Sequence, residues 1–221
     1  MSAYTISTHK PSIFNFLSVT FILIFLNAAA FLLFAILTAY GLLPVDAVAI
    51  KPRNILQGDY LWTFITSMFM HAGFFHLFVN MMSLLFVGGF IEKIIGRKRY
   101  FWFYMISGLA AGAFFVLVAL IFGADIDTFA VGASGAIFGL AGLMMILTPN
   151  IPLYVMFIPI PIKAKYAIPG LLFIMWFISV AAEIPIGNTA HLGGLIVGLA
   201  YGFYLRKKYP KKVQHISRIF S

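Results

Sequence analysis

Six long apolar stretches, separated by segments that hold nearly all of the charge, organise this chain: Phe16 to Gly41, Phe74 to Ile91, Tyr100 to Phe122, Phe129 to Leu147, Ile168 to Ile184 and Ala190 to Leu205. About 20 apolar residues are enough to cross a bilayer core of ~30 Å as a helix, so each stretch predicts one span. Between the fourth and fifth, Ile151 to Ile162 is apolar but broken by Pro152, Pro159 and Pro161. Those prolines remove backbone donors, which predicts an interfacial loop there. The connection Leu42 to Gly73 carries Pro44, Pro52, Gly58 and Trp62, and its length predicts a structured loop lying at the interface between helices 1 and 2. The Ala28-Ala29-Ala30 run imitates a signal-peptidase site, but apolar sequence continues to Tyr40, so the first run is read as a retained helix.

Composition agrees with the spans. Of 221 residues 62% are hydrophobic and 10% charged, too apolar for a water-soluble domain. The fold class is therefore all-α, a polytopic membrane protein of six helices. Its membrane domain covers residues 16–205, between a cytoplasmic N-terminal segment, 1–15, and a basic cytoplasmic tail, 206–221. There is no cysteine, hence neither disulfide nor thiolate chemistry. The +9 charge is explained by topology. With the N-terminus inside, Lys10, Lys93, Arg97 to Arg99, Lys163, Lys165 and the tail cations from Arg206 to Arg218 all fall on the cytoplasmic side, and Lys51 and Arg53 fall outside. No nucleic-acid partner is needed, and no nucleic-acid-binding motif is present.

Orientation sets depth. The fourth span enters from outside near Phe129, which predicts Ser134 within about 8 Å of its outer end. The sixth enters at Ala190, placing His191 in its first turn. His76 and Asn80 lie in the first two turns of the second, on one face. Four polar side chains from three helices thus share the outer part of the bilayer, where polar groups face protein or a wet cavity. Each has an ordinary alternative: a membrane serine bonding its own helix, or a histidine or amide gluing helices together. Ser83, Ser107 and Ser179 are read that way. No metal site is expected, because His71 and His76 have no acidic residue nearby and no His-Glu-x-x-His occurs. The glycines add geometry. Gly194, Gly198 and Gly202 lie on the face that carries His191, while Gly135, Gly139 and Gly142 form a second smooth stripe, and such surfaces let backbones approach closely.

These residues resemble a known family. Gly132-Ala133-Ser134-Gly135 is similar to the GxSG nucleophile motif of rhomboid intramembrane serine proteases, and Ala190-His191 through Gly194 to Gly198 to their AHxxGxxxG segment; His71 and the run His76 to Asn80 match the second-span pattern. The resemblance implies a six-helix rhomboid-like bundle that hydrolyses peptide bonds in or near transmembrane segments of protein substrates, with no cofactor. It implies Ser134 as nucleophile and His191 as base. The Ser134 backbone N–H, His76 and Asn80 would stabilise the oxyanion, and His71, Gly132, Gly135, Phe138, Gly194 and Gly198 would give structural support. Two positions depart from the common pattern: Thr63 follows Trp62 where arginine is frequent, and Phe138 stands where a tyrosine often supports the histidine. The expected setting is a prokaryotic cell membrane, with both termini cytoplasmic and the site opening outward; the segment Glu183 to Thr189 is expected to gate it with the fifth helix. Oligomeric state is not written in the chain. The alternative reading is a catalytically silent rhomboid-like protein that binds membrane clients. A small transporter would show inverted repeats and polar residues at the midplane, and neither is evident.

Overall fold

A computed structural model describes residues 18–123, 125–155, 160–183 and 186–220. The expected segment 1–15, the start of the first span at Phe16 and Ile184 of the expected gate lie outside the described residues. Six apolar helices follow one another: α1 Val19–Ala39, α2 Phe74–Ile95, α3 Arg97–Phe122, α4 Ser134–Leu147, α5 Ala164–Ala181 and α6 Asn188–Lys208. A short basic helix, α7 Pro210–Ile219, runs through the expected tail. The fold is an all-α polytopic membrane architecture. Helices α1, α2, α3 and α5 are long and apolar enough to cross a bilayer. The 21-residue α6 closes on Arg206, Lys207 and Lys208, and α2 widens into a π turn at Leu84–Gly88.

The 14-residue α4 is the centre of the bundle. Gly135 through Met144 is buried without a break, the mark of a helix enclosed by protein on every side rather than facing lipid with one stripe. Leu140, Leu143 and Leu147 of α4 join Tyr100 and Tyr104 of α3 and Leu84 of α2 in the main apolar cluster.

The start of α4 differs from expectation. Phe129 to Ala133, expected as helix, is not helical. Ala130 and Ile50 exchange backbone hydrogen bonds of 3.1 and 2.8 Å, and the Gly132 N–H donates to the Ser67 carbonyl at 2.8 Å. These distant bonds hold the backbone extended. Gly132 then turns the chain at φ +119°, a region open to glycine, so the helix begins at Ser134 itself. The Ile151 to Ile162 loop also differs. Its ends pair as two antiparallel strands, β1 Pro152–Leu153 and β2 Ile162–Lys163; residues 156–159 lie outside the described residues.

The long first loop is held from both sides. It carries short helices Pro52–Leu56 and Thr63–Thr66. The Trp62 indole N–H donates to the Ala47 carbonyl at 2.9 Å and the Thr63 hydroxyl to Tyr60 at 2.7 Å. Arg53 meets Asp127 through two bonds of 2.6 Å, and the guanidinium holds the Asp127 carboxyl below its usual range. The loop is thus tied within itself by Trp62 and Thr63 and to the segment before α4 by Arg53.

Glu92 near the end of α2 is buried, and its carboxylate accepts from the Val19 and Thr20 N–H groups at 2.8 and 2.9 Å and from the Thr20 hydroxyl at 2.7 Å. A carboxylate at the positive end of a helix satisfies donors that have no intrahelical acceptor. Glu92→Ala is expected to leave them unpaired and to destabilise by about 3 kcal/mol. In a chain of this size that is a fall in melting temperature of roughly 6 to 12 °C. Glu92→Gln, which keeps an acceptor, should fall less; equal melting of both variants and wild type would show that the bonds contribute nothing.

Candidate active site

Ser134 and His191 both stand in the first turn of their helices, and the contact between α4 and α6 brings them together. Four glycines make the contact close. A Cβ placed on Gly194 would run into the carbonyl of Gly135, and one on Gly198 into the carbonyl of Gly139. Backbone therefore meets backbone. Gly142 presses on the Leu195 carbonyl, where a Cβ would lie at 2.6 Å, and Gly202 on the Ile146 side chain at 2.7 Å. The stripe on α4 is divided, however. The faces of Gly135 and Gly139 point at Ala111 and Ser107 of α3, each 2.6 Å from where a Cβ would be. It is their carbonyls that receive α6.

Across this contact the Ser134 Oγ and His191 Nε2 are 2.7 Å apart, a hydrogen-bond distance. His191 is buried, its backbone N–H donates to the Gly187 carbonyl at 3.0 Å, and its ring stacks on Phe138 with centroids 4.7 Å apart and planes at 23°. Phe138 thus keeps the flat wall a tyrosine would supply and drops the hydroxyl. His191 Nδ1 has no hydrogen-bond partner among the described residues, so no third member of a triad orients the ring.

The second-span residues approach from the opposite side of Gly132. A Cβ on Gly132 would lie 2.9 Å from His76 Cε1, 3.0 Å from His76 Nε2 and 3.6 Å from Ser134 Oγ. The missing side chain leaves room for the His76 ring beside the glycine that also borders Ser134. His76 Nδ1 accepts from the Ala72 N–H at 3.3 Å, which leaves Nε2 on the side of Gly132. The buried ring of His71 packs edge-on against His76 at 5.2 Å and against Phe31 at 6.3 Å. Asn80 is buried one turn further along α2; its amide donates to the His76 carbonyl at 2.8 Å, and its Oδ1 has no partner among the described residues. Among the described residues the hydrogen bond of the Asn80 amide thus runs to His76 and not to Ser134.

Two features were hidden in the chain. First, because α4 begins at Ser134 after Ala133, a residue with no capping side chain, the N–H groups of its first turn have no intrahelical acceptor and aim outward from the positive helix end. The glycine at 132 is the signal that could have shortened the span. Second, a polar cavity of about 240 Å³ lies between α5, the start of α6 and the loop before α4, lined among others by Asp125, Thr128, Ser179 and Asn188. Asn188 stands three residues before His191, a spacing that shares a helix face.

Ser134, partly buried at the start of α4, stands well short of the end of α3. Gly135 lies opposite Ala111, which is eleven residues short of the end of α3 at Phe122, about 16 Å at 1.5 Å per residue. Among the described residues no cluster of His, Cys, Asp or Glu could hold a metal ion.

A family model described as the rhomboid domain matches residues 58–208. RHOMBOID-like protein 6, mitochondrial, of Arabidopsis thaliana is 35% identical over 160 residues, 71% of this chain and 48% of that protein. Rhomboid protein 1, mitochondrial, of Saccharomyces cerevisiae is 31% identical over 166 residues, 72% of this chain and 47% of that protein. A further Arabidopsis relative, 34% identical over 147 residues that cover 65% of this chain and 38% of that protein, is named Inactive RHOMBOID-like protein 8. The chain spans about half or less of the length of these relatives.

Proposed function

This chain belongs to the rhomboid family, and we propose that it is an intramembrane serine endopeptidase acting through a Ser134–His191 dyad on transmembrane protein substrates. The 2.7 Å contact between Ser134 Oγ and His191 Nε2 carries the reading. With the ring proton on Nδ1, Nε2 accepts the hydroxyl proton as Oγ attacks the scissile carbonyl, then delivers it to the leaving amine. An acyl-enzyme ester forms. Water, activated by the same nitrogen, hydrolyses the ester and restores the serine. The polar cavity beside Asn188 is where that water would wait, since its lining offers several hydrogen-bonding groups.

Charge develops on the carbonyl oxygen in both steps. The free Ser134 N–H at the start of α4 supplies one donor, and His76 Nε2–H and the second Asn80 N–H supply side-chain donors. A single such donor is worth about 3 kcal/mol of barrier. The inactive-named relative favours a second reading, a silent client-binding protein. What weighs against it is that this chain keeps both reacting groups in contact.

A serine-directed fluorophosphonate separates the two. The protease reading expects labelling at Ser134 that disappears in His191→Ala; a folded protein that stays unlabelled supports the silent reading. Sidedness belongs to the proposal as well. The bias of lysine and arginine supports cytoplasmic termini and a site opening outward, although a prokaryotic setting gains no support from these relatives. Reporters fused after Ser221 and within 123–127 should lie on opposite sides. The same side for both would overturn the topology.

A further inference from the structure

A second concavity lies toward the other end of the bundle from Ser134 and His191. It is a groove of about 480 Å³ on the flank between α3 and α6, within the range of small-molecule sites. The two helices run antiparallel here: Gly193 meets Phe114 and, two turns on, Tyr201 stacks on Phe103 at 4.9 Å. The walls of the groove are Trp102, Ile106, Val197 and Tyr201, and its rim is Lys98 and Arg99. Both cations are exposed and neither has a carboxylate partner among the described residues. The antiparallel run brings the closing Arg206, Lys207 and Lys208 of α6, all exposed, to the same end. The acid nearest in sequence to that rim, Glu92, is buried, bonded to the start of α1 and paired with Arg97 at 3.9 Å.

An apolar slot under a cationic rim, on a flank that faces lipid, matches an amphiphile with one negative head and a hydrocarbon tail. Trp102, half exposed beside the rim, sits where an indole marks the headgroup level. Basic pockets between helices take anionic headgroups, and an arginine matches a phosphodiester with paired donors. A zwitterionic head would bring an ammonium among five cations, with no free carboxylate among the described residues of the rim to receive it. We propose that this groove binds one anionic phospholipid, its phosphate on Lys98 and Arg99 and one acyl chain against Trp102, Ile106, Val197 and Tyr201. The site does not depend on the proteolytic reading.

The test uses the full chain in a neutral detergent, with phosphatidylglycerol or phosphatidylcholine added, read by native mass spectrometry and by melting temperature. Phosphatidylglycerol should remain as one bound copy and raise the melting temperature by about 2 °C or more, while phosphatidylcholine does neither. Lys98→Gln with Arg99→Gln should lose the copy and the shift. Val197→Phe, which fills the slot and keeps every cation, should weaken retention at least tenfold. Lys211→Gln with Lys212→Gln, on α7, should change neither readout. Equal retention of the two lipids, full retention by the rim variant or by Val197→Phe, or loss on the α7 variant would each overturn the proposal.

Discussion

Ser134→Ala and His191→Ala are each expected to abolish cleavage of a transmembrane substrate, by a factor on the order of 10⁴, while melting stays within a few degrees of wild type. The first removes the oxygen that would attack, and the second removes the nitrogen 2.7 Å away that would take its proton. Neither side chain fills the main apolar cluster, which is why the fold should survive. The measurement is product formed per enzyme in liposomes, beside a melting curve of each variant. His76→Ala and Asn80→Ala, in the same assay, should lower kcat by about 10² to 10³ with KM little changed, because oxyanion donors act in the transition state. Near wild-type cleavage by either dyad variant would dismiss the dyad, and a loss confined to KM would make His76 and Asn80 part of a recognition surface.

Gly198→Leu should remove both activity and stability. The carbonyl of Gly139 occupies the place where its Cβ would go, and backbone in the middle of a buried helix cannot yield as a flexible side chain can. Overpacking a core costs about 1 to 3 kcal/mol and occasionally more; a backbone collision belongs at the upper end, a fall of roughly 10 °C in melting temperature. The displaced α6 carries His191 with it, and a shift of about 1 Å at a reacting group costs on the order of a hundredfold in rate. Leu199→Ala, one residue further round the helix, trims a partly buried side chain that packs against the α5 cluster and should cost much less of both. Full activity and melting in Gly198→Leu would mean that the close approach of α4 and α6 is not needed.

What the chain discloses by itself is local. Apolar length marks α1, α2, α3 and α5, and the Gly194 to Gly198 spacing marks the face of α6 that approaches α4. Bonds between distant segments are silent. Phe129 to Val131 has the composition of a span, yet the partner that holds Ala130 extended is Ile50, in a loop eighty residues earlier. Glu92 looks like one more charge at a membrane edge, and its partners are at residues 19 and 20. Spacing shows that Gly135 and Gly139 share a face but not which helix that face meets, and α3 answers with Ser107 and Ala111. The contact of His191 with Ser134 lies between these extremes, since shared depth can be counted but a distance cannot.

The shortness of α4 also sets a length for whatever reaches it. The serine lies about 16 Å below the end of α3, and a helix is 10 to 12 Å wide with its side chains. A substrate arriving as an intact helix would have to lower some eleven residues beside α3 with its scissile carbonyl still tied into its own helical hydrogen bonds. Drawn out as a strand at about 3.3 Å per residue, the same drop needs about five residues and leaves the carbonyl free. If Ser134 is the nucleophile, its place would work as a depth gauge. Segments would then be selected by how readily their last turn and a half uncoils, before any side chain is read.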